Sequence, residues 1–171
     1  MGGAAQAGVT PLAMLAAPSY NDAFVAEGFA LKGLFESGAI YTMAWVAPYE
    51  TDSPAHATMR ATFASMGIDS ASSFLVAGWS SQYHLKGVLE AALKGGDLTR
   101  AGIRRAAANV YVESDGMMLT RELGQNRADK ESFINIPDGS IASGVKLLAS
   151  NYVGPSAESY DFTQGPCFAS G

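Results

Sequence analysis

The sequence predicts an α/β fold. Two short apolar segments of strand character, residues 9–15 and 39–46, flank a stretch whose large apolar side chains recur at mostly helical spacing. A strand, helix, strand order of this kind favours parallel neighbours joined by a right-handed crossover. Further helical segments follow, and then three short segments of strand character.

The first strand, residues 9–15, is led in by Thr10 and Pro11. Residues 16–22 form a loop. Pro18 biases Ala17 away from helical angles, and Ser19 or Asn21 can cap the next helix. Phe24, Phe29, Leu31, Leu34 and Phe35 carry that helix to about Glu36, and Gly38 ends it. The second strand contributes Ile40, Tyr41, Met43, Trp45 and Val46.

Residues 48–54 form a loop that finishes as a helix start. Asp52 or Ser53 is the N-cap, and Pro54 sits in the first turn, where its missing N–H costs nothing. The helix over 55–66 closes at Gly67. Asp69 or Ser70 then caps a long helix over 71–94. Its apolar residues, among them Phe74, Val76, Trp79, Leu85, Leu89 and Leu93, wrap most of the circumference, which predicts burial on two sides. Gly95 and Gly96 stop it, and Thr99 caps a short helix to about Asn109. After Asp115 and Gly116, residues 117–119, 132–136 and 144–148 read as strands joined by polar turns such as Pro137-Asp138-Gly139. Residues 151–171, rich in Gly, Pro, Ser and aromatics, read as a loosely ordered tail.

The chain has 171 residues, enough for one domain with a real core. Charged residues make up 16%, low against the usual one in four or so, which points to a large buried fraction or to surface that another segment covers. Net charge is −5, and the one basic cluster, Arg100, Arg104 and Arg105, faces different directions on a helix. That excludes the basic stripe a nucleic-acid binder needs. The single cysteine, Cys167, cannot form an internal disulfide. Residues 1–8 are small and polar and carry none of the marks of an export signal. No apolar run approaches the roughly 20 residues that span a bilayer.

No catalytic set assembles from these residues. His56 and His84 lack the closely spaced partners of a zinc site, so no metal or other cofactor is expected. Ser80 and Ser81 lie in mid-helix and not on a strand-to-helix elbow. Gly95-Gly96-Asp97 is too short to cradle a phosphate. Asp52, Asp69, Asp97, Asp115 and Asp138 sit at caps and turns, their ordinary structural places.

The order of segments carries a resemblance. "GGAAQAGVTPLAML" and "APSYNDAF" read as a helix end, a strand and a cleft loop. "IYTMAWVAPYETDSPAHATMRATFASMG" reads as a strand crossing a hinge and then a capped helix. "GWSSQYHLKGVLEAALKGGDLTRAGIRRAAANV" reads as paired helices, and "ESDGMM" as the next strand start. This run resembles the type I periplasmic binding proteins, in particular the leucine–isoleucine–valine-binding branch of ABC transporter receptors. The resemblance implies a periplasmic-binding-protein-like α/β fold of two lobes closing on a small solute, present here in part. Residues 1–47 would belong to the second lobe, 48–115 to the first, and 116–171 to strands returning through the hinge and a C-terminal tail. A whole member is about twice as long, so an internal Met read as a start, or deliberate shortening, would account for the length.

The resemblance also implies a function: an extracytoplasmic, periplasmic receptor handing a branched-chain amino acid or similar solute to the membrane components of an ABC importer. A ligand-sensing regulator of the same fold and an inactive truncated product are the alternatives. The cleft loop would place Ala17, Pro18, Ser19 and Tyr20 against the solute, with Tyr49 at the hinge. Ser19 can equally be a simple helix cap. Branched-chain amino-acid binders carry an acidic residue in that loop, and this chain has Ala16-Ala17 there. Cys167 would pair with an upstream cysteine of the intact protein, or remain a free thiol.

Overall fold

A computed structural model describes residues 3, 6–9, 12–119, 121–122 and 130–161. Strand β1 (Ala13–Ala16) is followed by two 3-10 turns, Ala17–Ser19 and Asp22–Val25, and by the single-turn helix α1 (Lys32–Phe35). Strand β2 (Ile40–Ala44) leads to helices α2 (Pro54–Ser65), α3 (Ser73–Lys94) and α4 (Arg100–Ala107). Strands β3 (Tyr111–Val112), β4 (Arg121–Glu122), β5 (Glu131–Pro137) and β6 (Val145–Val153) and the short helix α5 (Pro155–Ser159) complete the described chain.

One sheet has the strand order β1, β2, β5, β6. The expected parallel pairing of the first two strands is present, in register from Ala13 with Ile40 to Ala16 with Met43. β5 joins β2 antiparallel, and β6 joins β5 antiparallel. A separate pair, β3 with β4, was not anticipated from the sequence. Two residues per strand give too short a stretch for alternation to register.

The crossover between β1 and β2 differs from the single helix expected over residues 24–36. Asn21 caps the first turn, its side chain accepting from the Ala23 N–H at 2.9 Å, but Gly28 takes φ +84 and breaks the helix. The segment instead folds around its aromatics. Phe24 stacks on Phe29 with centroids 5.4 Å apart, and Tyr20 meets the edge of Phe24 at 6.0 Å. With Val25, Phe35, Ile40 and Val145 they form the core beneath the sheet.

A second core lies elsewhere. α2 starts on Ser53, whose hydroxyl accepts from the His56 N–H at 3.3 Å, with Pro54 in its first turn. Its buried face, Ala55, Met59 and Phe63, packs with Tyr49, Val76, Val112 and Met117. α3 and α4 pack on each other, as expected. Among the described residues, burial of α3 on two sides is not found: Phe74, Leu85 and Leu93 are exposed, and α2, α4 and β3 pack on its other flank. The cap of α3 is Ser72, not Asp69 or Ser70.

The two cores meet where the chain passes between them. Val46 bridges antiparallel to Met118, and the Ala47 N–H donates to the Met117 carbonyl at 3.0 Å. Of the strand expected over 117–119, this one bridge is formed. Glu50 ties the crossing to the β5–β6 turn, accepting from the Ser143 N–H at 3.1 Å and the Ser143 hydroxyl at 2.5 Å. The expected loose tail is partly structured, since β6 runs to Val153 and α5 follows. Cys167 lies outside the described residues, and so do Thr10 and Pro11.

Candidate solute cleft

The carboxyl ends of parallel strands in an open α/β sheet are where crevices form. Here β1 ends into Ala17, Pro18 and Tyr20, and β2 ends into Trp45, Val46, Ala47 and Pro48. These residues line a cavity of about 40 Å³ that the first turn of α3, at Ser73, Phe74, Val76 and Ala77, closes from the other side. A volume near 40 Å³ holds a few waters. A wider space of about 250 Å³ shares the walls Ala17, Pro18, Ala44 and Trp45 and continues past Met43 to Glu131 and Ser132.

The inner cavity is lined by apolar and neutral polar residues, with no ionised side chain among the described ones. Its floor is the face of the sheet that carries Thr42 and Asn135, directly opposite each other in the β2–β5 register. The Asn135 amide donates to the Thr42 hydroxyl at 3.4 Å. Asn135 is 3% exposed, and its Oδ1 has no hydrogen-bond partner among the described residues. An unpaired buried amide oxygen is costly, which makes this atom the chemically unspent part of the cavity.

Of the four residues expected against the solute, Ala17, Pro18 and Tyr20 come together on this cavity. Tyr20 also braces it: its buried phenol donates to the Gly144 carbonyl at 2.6 Å, and burial, with Asp22 nearby, pushes the phenol pKa well up. Ser19 is exposed and is absent from the lining, and its expected cap role falls to Asn21. Tyr49 is buried in the second core. Its ring stacks on Phe63 and its hydroxyl donates to the Asp69 carbonyl at 3.4 Å, away from the cavity.

Sequence reasoning passed over Thr42, Trp45, Asn135 and the start of α3. A polar residue within the apolar run Ser132-Phe133-Ile134-Asn135-Ile136 was a usable signal, because a buried amide needs a partner. The approach of α3 left no mark in sequence.

Among the described residues a serine and a histidine meet at the start of α2. Ser53 Oγ lies 2.7 Å from His56 Nδ1, and His56 Nε2 lies 3.3 Å from the Ala47 carbonyl. A carbonyl only accepts, so Nε2 carries the proton and Nδ1 accepts from the serine. His56 is fully buried, burial depresses its pKa, and neither residue lines a described cavity. The pair holds the start of α2.

No protein-family model matches the sequence. No curated protein matches it. A solved structure, the fatty acid ABC transporter substrate-binding protein from Thermomonospora curvata, superposes with a TM-score of 0.77 at 21% identity. The match covers 93% of this chain and 41% of that one. The fold is that of part of a periplasmic-binding-protein-like protein. The chain spans well under half the length of its structural neighbour, and at this identity the likeness concerns the fold.

Proposed function

We propose that this chain is part of an extracytoplasmic solute receptor that serves an ABC importer. The observation that carries the reading is the apolar cavity at the ends of β1 and β2, closed by the start of α3. The two cores support lobes divided as the sequence suggests, with residues 1–47 and 116–171 on one side and 48–115 on the other. The first core draws on residues 20–40 and Val145, and the second on residues 49–112, joined at the crossing by Val46, Met117 and Met118. The Val46–Met118 bridge would then be the hinge crossing, fastened by Glu50 to Ser143.

The solute would be small and largely apolar. A branched-chain amino acid would leave its ammonium group without a counter-charge, because no carboxylate lines the inner cavity among the described residues. Burying an unpaired charge costs several kcal/mol. The structural neighbour is named as a fatty acid receptor, and aliphatic solutes suit the same kind of lining. Ala17, Pro18 and Tyr20 would contact the solute, and Trp45 would report on it.

The test is a titration of the chain with aliphatic acids, amides and amino acids, followed by NMR at the Trp45 indole. Contacts to a closing receptor are divided between lobes, so binding here should be weaker than a millimolar complex, roughly −4 kcal/mol. A saturable shift at Trp45 shared by Ala17 and Ala77 supports the reading. Absence of any shift in the cavity residues at high millimolar solute rejects it.

A further inference from the structure

α3 is a helix of 22 residues whose first turn lines the inner cavity. Its N-cap Ser72 makes no side-chain cap bond, and its first turn holds no acidic residue. The Leu75 and Val76 N–H groups turn back to the Ser72 carbonyl at 3.0 and 3.1 Å. The amides of Ser73 and Phe74 precede them and by helix geometry have no partner inside the helix. The positive end of the helix dipole therefore faces the cavity uncapped.

Such an end takes an anion readily, and the same cavity holds a second, independent polar group without its full set of partners. Asn135, buried on the sheet side of the same cavity, has one end of its amide unpaired. The Thr42 hydroxyl can donate as well as accept, so the amide can turn its NH₂ into the cavity while Oδ1 takes the threonine proton. Both walls then present N–H donors to one small space.

Resting on the receptor reading above, we infer that the solute is a monocarboxylate without an amino group, its carboxylate held between the Ser73 and Phe74 amides and the Asn135 side chain. The volumes fix the orientation. The inner cavity, about 40 Å³, admits a head group. The wider space of about 250 Å³ takes an aliphatic tail along Ala17, Pro18, Ala44 and Trp45. Glu131 lines that outer space, which repels a carboxylate there and leaves the head the inner end. An α-ammonium group would sit against the positive helix end with nothing to pair it, so an amino acid of equal chain length is disfavoured.

The experiment compares hexanoate, hexanamide and norleucine, three six-carbon probes that differ in charge at the head, by NMR on the full chain. Hexanoate is expected to shift the Ser73 and Phe74 amide protons downfield and to bind more tightly than the other two. Ser73→Asp places a carboxylate at the helix start, which stabilises the helix while competing for the site. It should weaken hexanoate binding by roughly fivefold or more, with no loss of melting temperature. Asn135→Leu should weaken it as well. Tighter or equal binding of hexanamide or norleucine in the same cavity overturns this inference and leaves the receptor reading standing, and so does hexanoate binding untouched by Ser73→Asp. Failure of all three probes to perturb any cavity residue overturns both.

Discussion

His56 and Tyr20 show how single side chains fasten the two cores, and each has a measurable consequence. His56 sits neutral and fully buried between Ser53 and the Ala47 carbonyl, its pKa depressed chiefly by burial. In the unfolded chain it takes a proton near its ordinary value of 6.5, whereas the folded chain takes it at lower pH. Between those two values the unfolded state binds more protons, so stability falls as pH falls through that window. The urea midpoint should therefore drop as pH is lowered from neutrality past 6.5, and His56→Gln should flatten that slope. Asp97 and Asp138, held low chiefly by the Thr99 and Ser140 hydroxyls, would lose their contribution in a separate window around and below 3.8. Tyr20→Phe removes a buried hydrogen bond to the Gly144 carbonyl. That carbonyl keeps the Asp138 N–H at 2.9 Å, so it is not left unsatisfied. The cost should be near 1 kcal/mol, not the larger penalty of an orphaned group. Chemical denaturation of the variant measures it.

The turn between α3 and α4 shows the same economy at the level of an element. Asp97 accepts from the Thr99 N–H at 2.9 Å and from the Thr99 hydroxyl at 2.6 Å, and also pairs with Arg105. The Thr99 hydroxyl in turn accepts from the Gly102 N–H at 3.2 Å. The turn lies so close on α4 that a Cβ at Gly102 would clash with the Asp97 carbonyl oxygen. Ala is normally the better helix residue by about 1 kcal/mol, yet here Gly102→Ala should destabilise by about 1–3 kcal/mol through overpacking. Thr99→Ala loses the cap and should cost about 1 kcal/mol. Because both changes spoil one turn, the double variant should lose less than the sum of the two. Thermal melts of the three variants decide this. The Arg105 pair is exposed and adds little.

At the scale of the whole molecule, one face of the sheet is left bare by the described residues. Tyr20, Phe35 and Ile40 cover its inner side, while Leu12, Met14, Tyr41, Leu148 and Tyr152 line an open groove of about 490 Å³ on the other. Leu12 is 80% exposed and Leu148 58%. Leu85 and Leu93 on α3 are exposed too. Apolar surface beyond a few hundred Å² drives association, so the isolated chain should self-associate with rising concentration. Sedimentation velocity checks this, and Leu148→Lys should shift the distribution towards monomer. A monodisperse monomer across the range would show that the bare face is tolerated.

What the sequence determined by itself was local chemistry and its order. The Ser53-Pro54 and Thr99 caps, the turn at Gly67 and the long run of α3 all follow from side chains acting on their own backbone within a few residues. The parallel β1–β2 pairing follows from the handedness of a short crossover. The approach of distant segments was decided by tertiary structure. Gly28 could have been tolerated in a helix, but the Phe24, Phe29 and Phe35 cluster gained more by folding back on Tyr20. Tyr49 reads like a cleft residue, yet Phe63 and Asp69 draw it into the second core. Asn135 became part of the candidate site because β5 returns beside β2, and the start of α3 because that helix arrives from the other core. Capping and periodicity are energies of near neighbours, so one stretch of sequence carries them. A cleft is a surface shared between segments far apart in the chain, here from Ala17 to Val145, and its contacts exist only once the long-range packing has paired them.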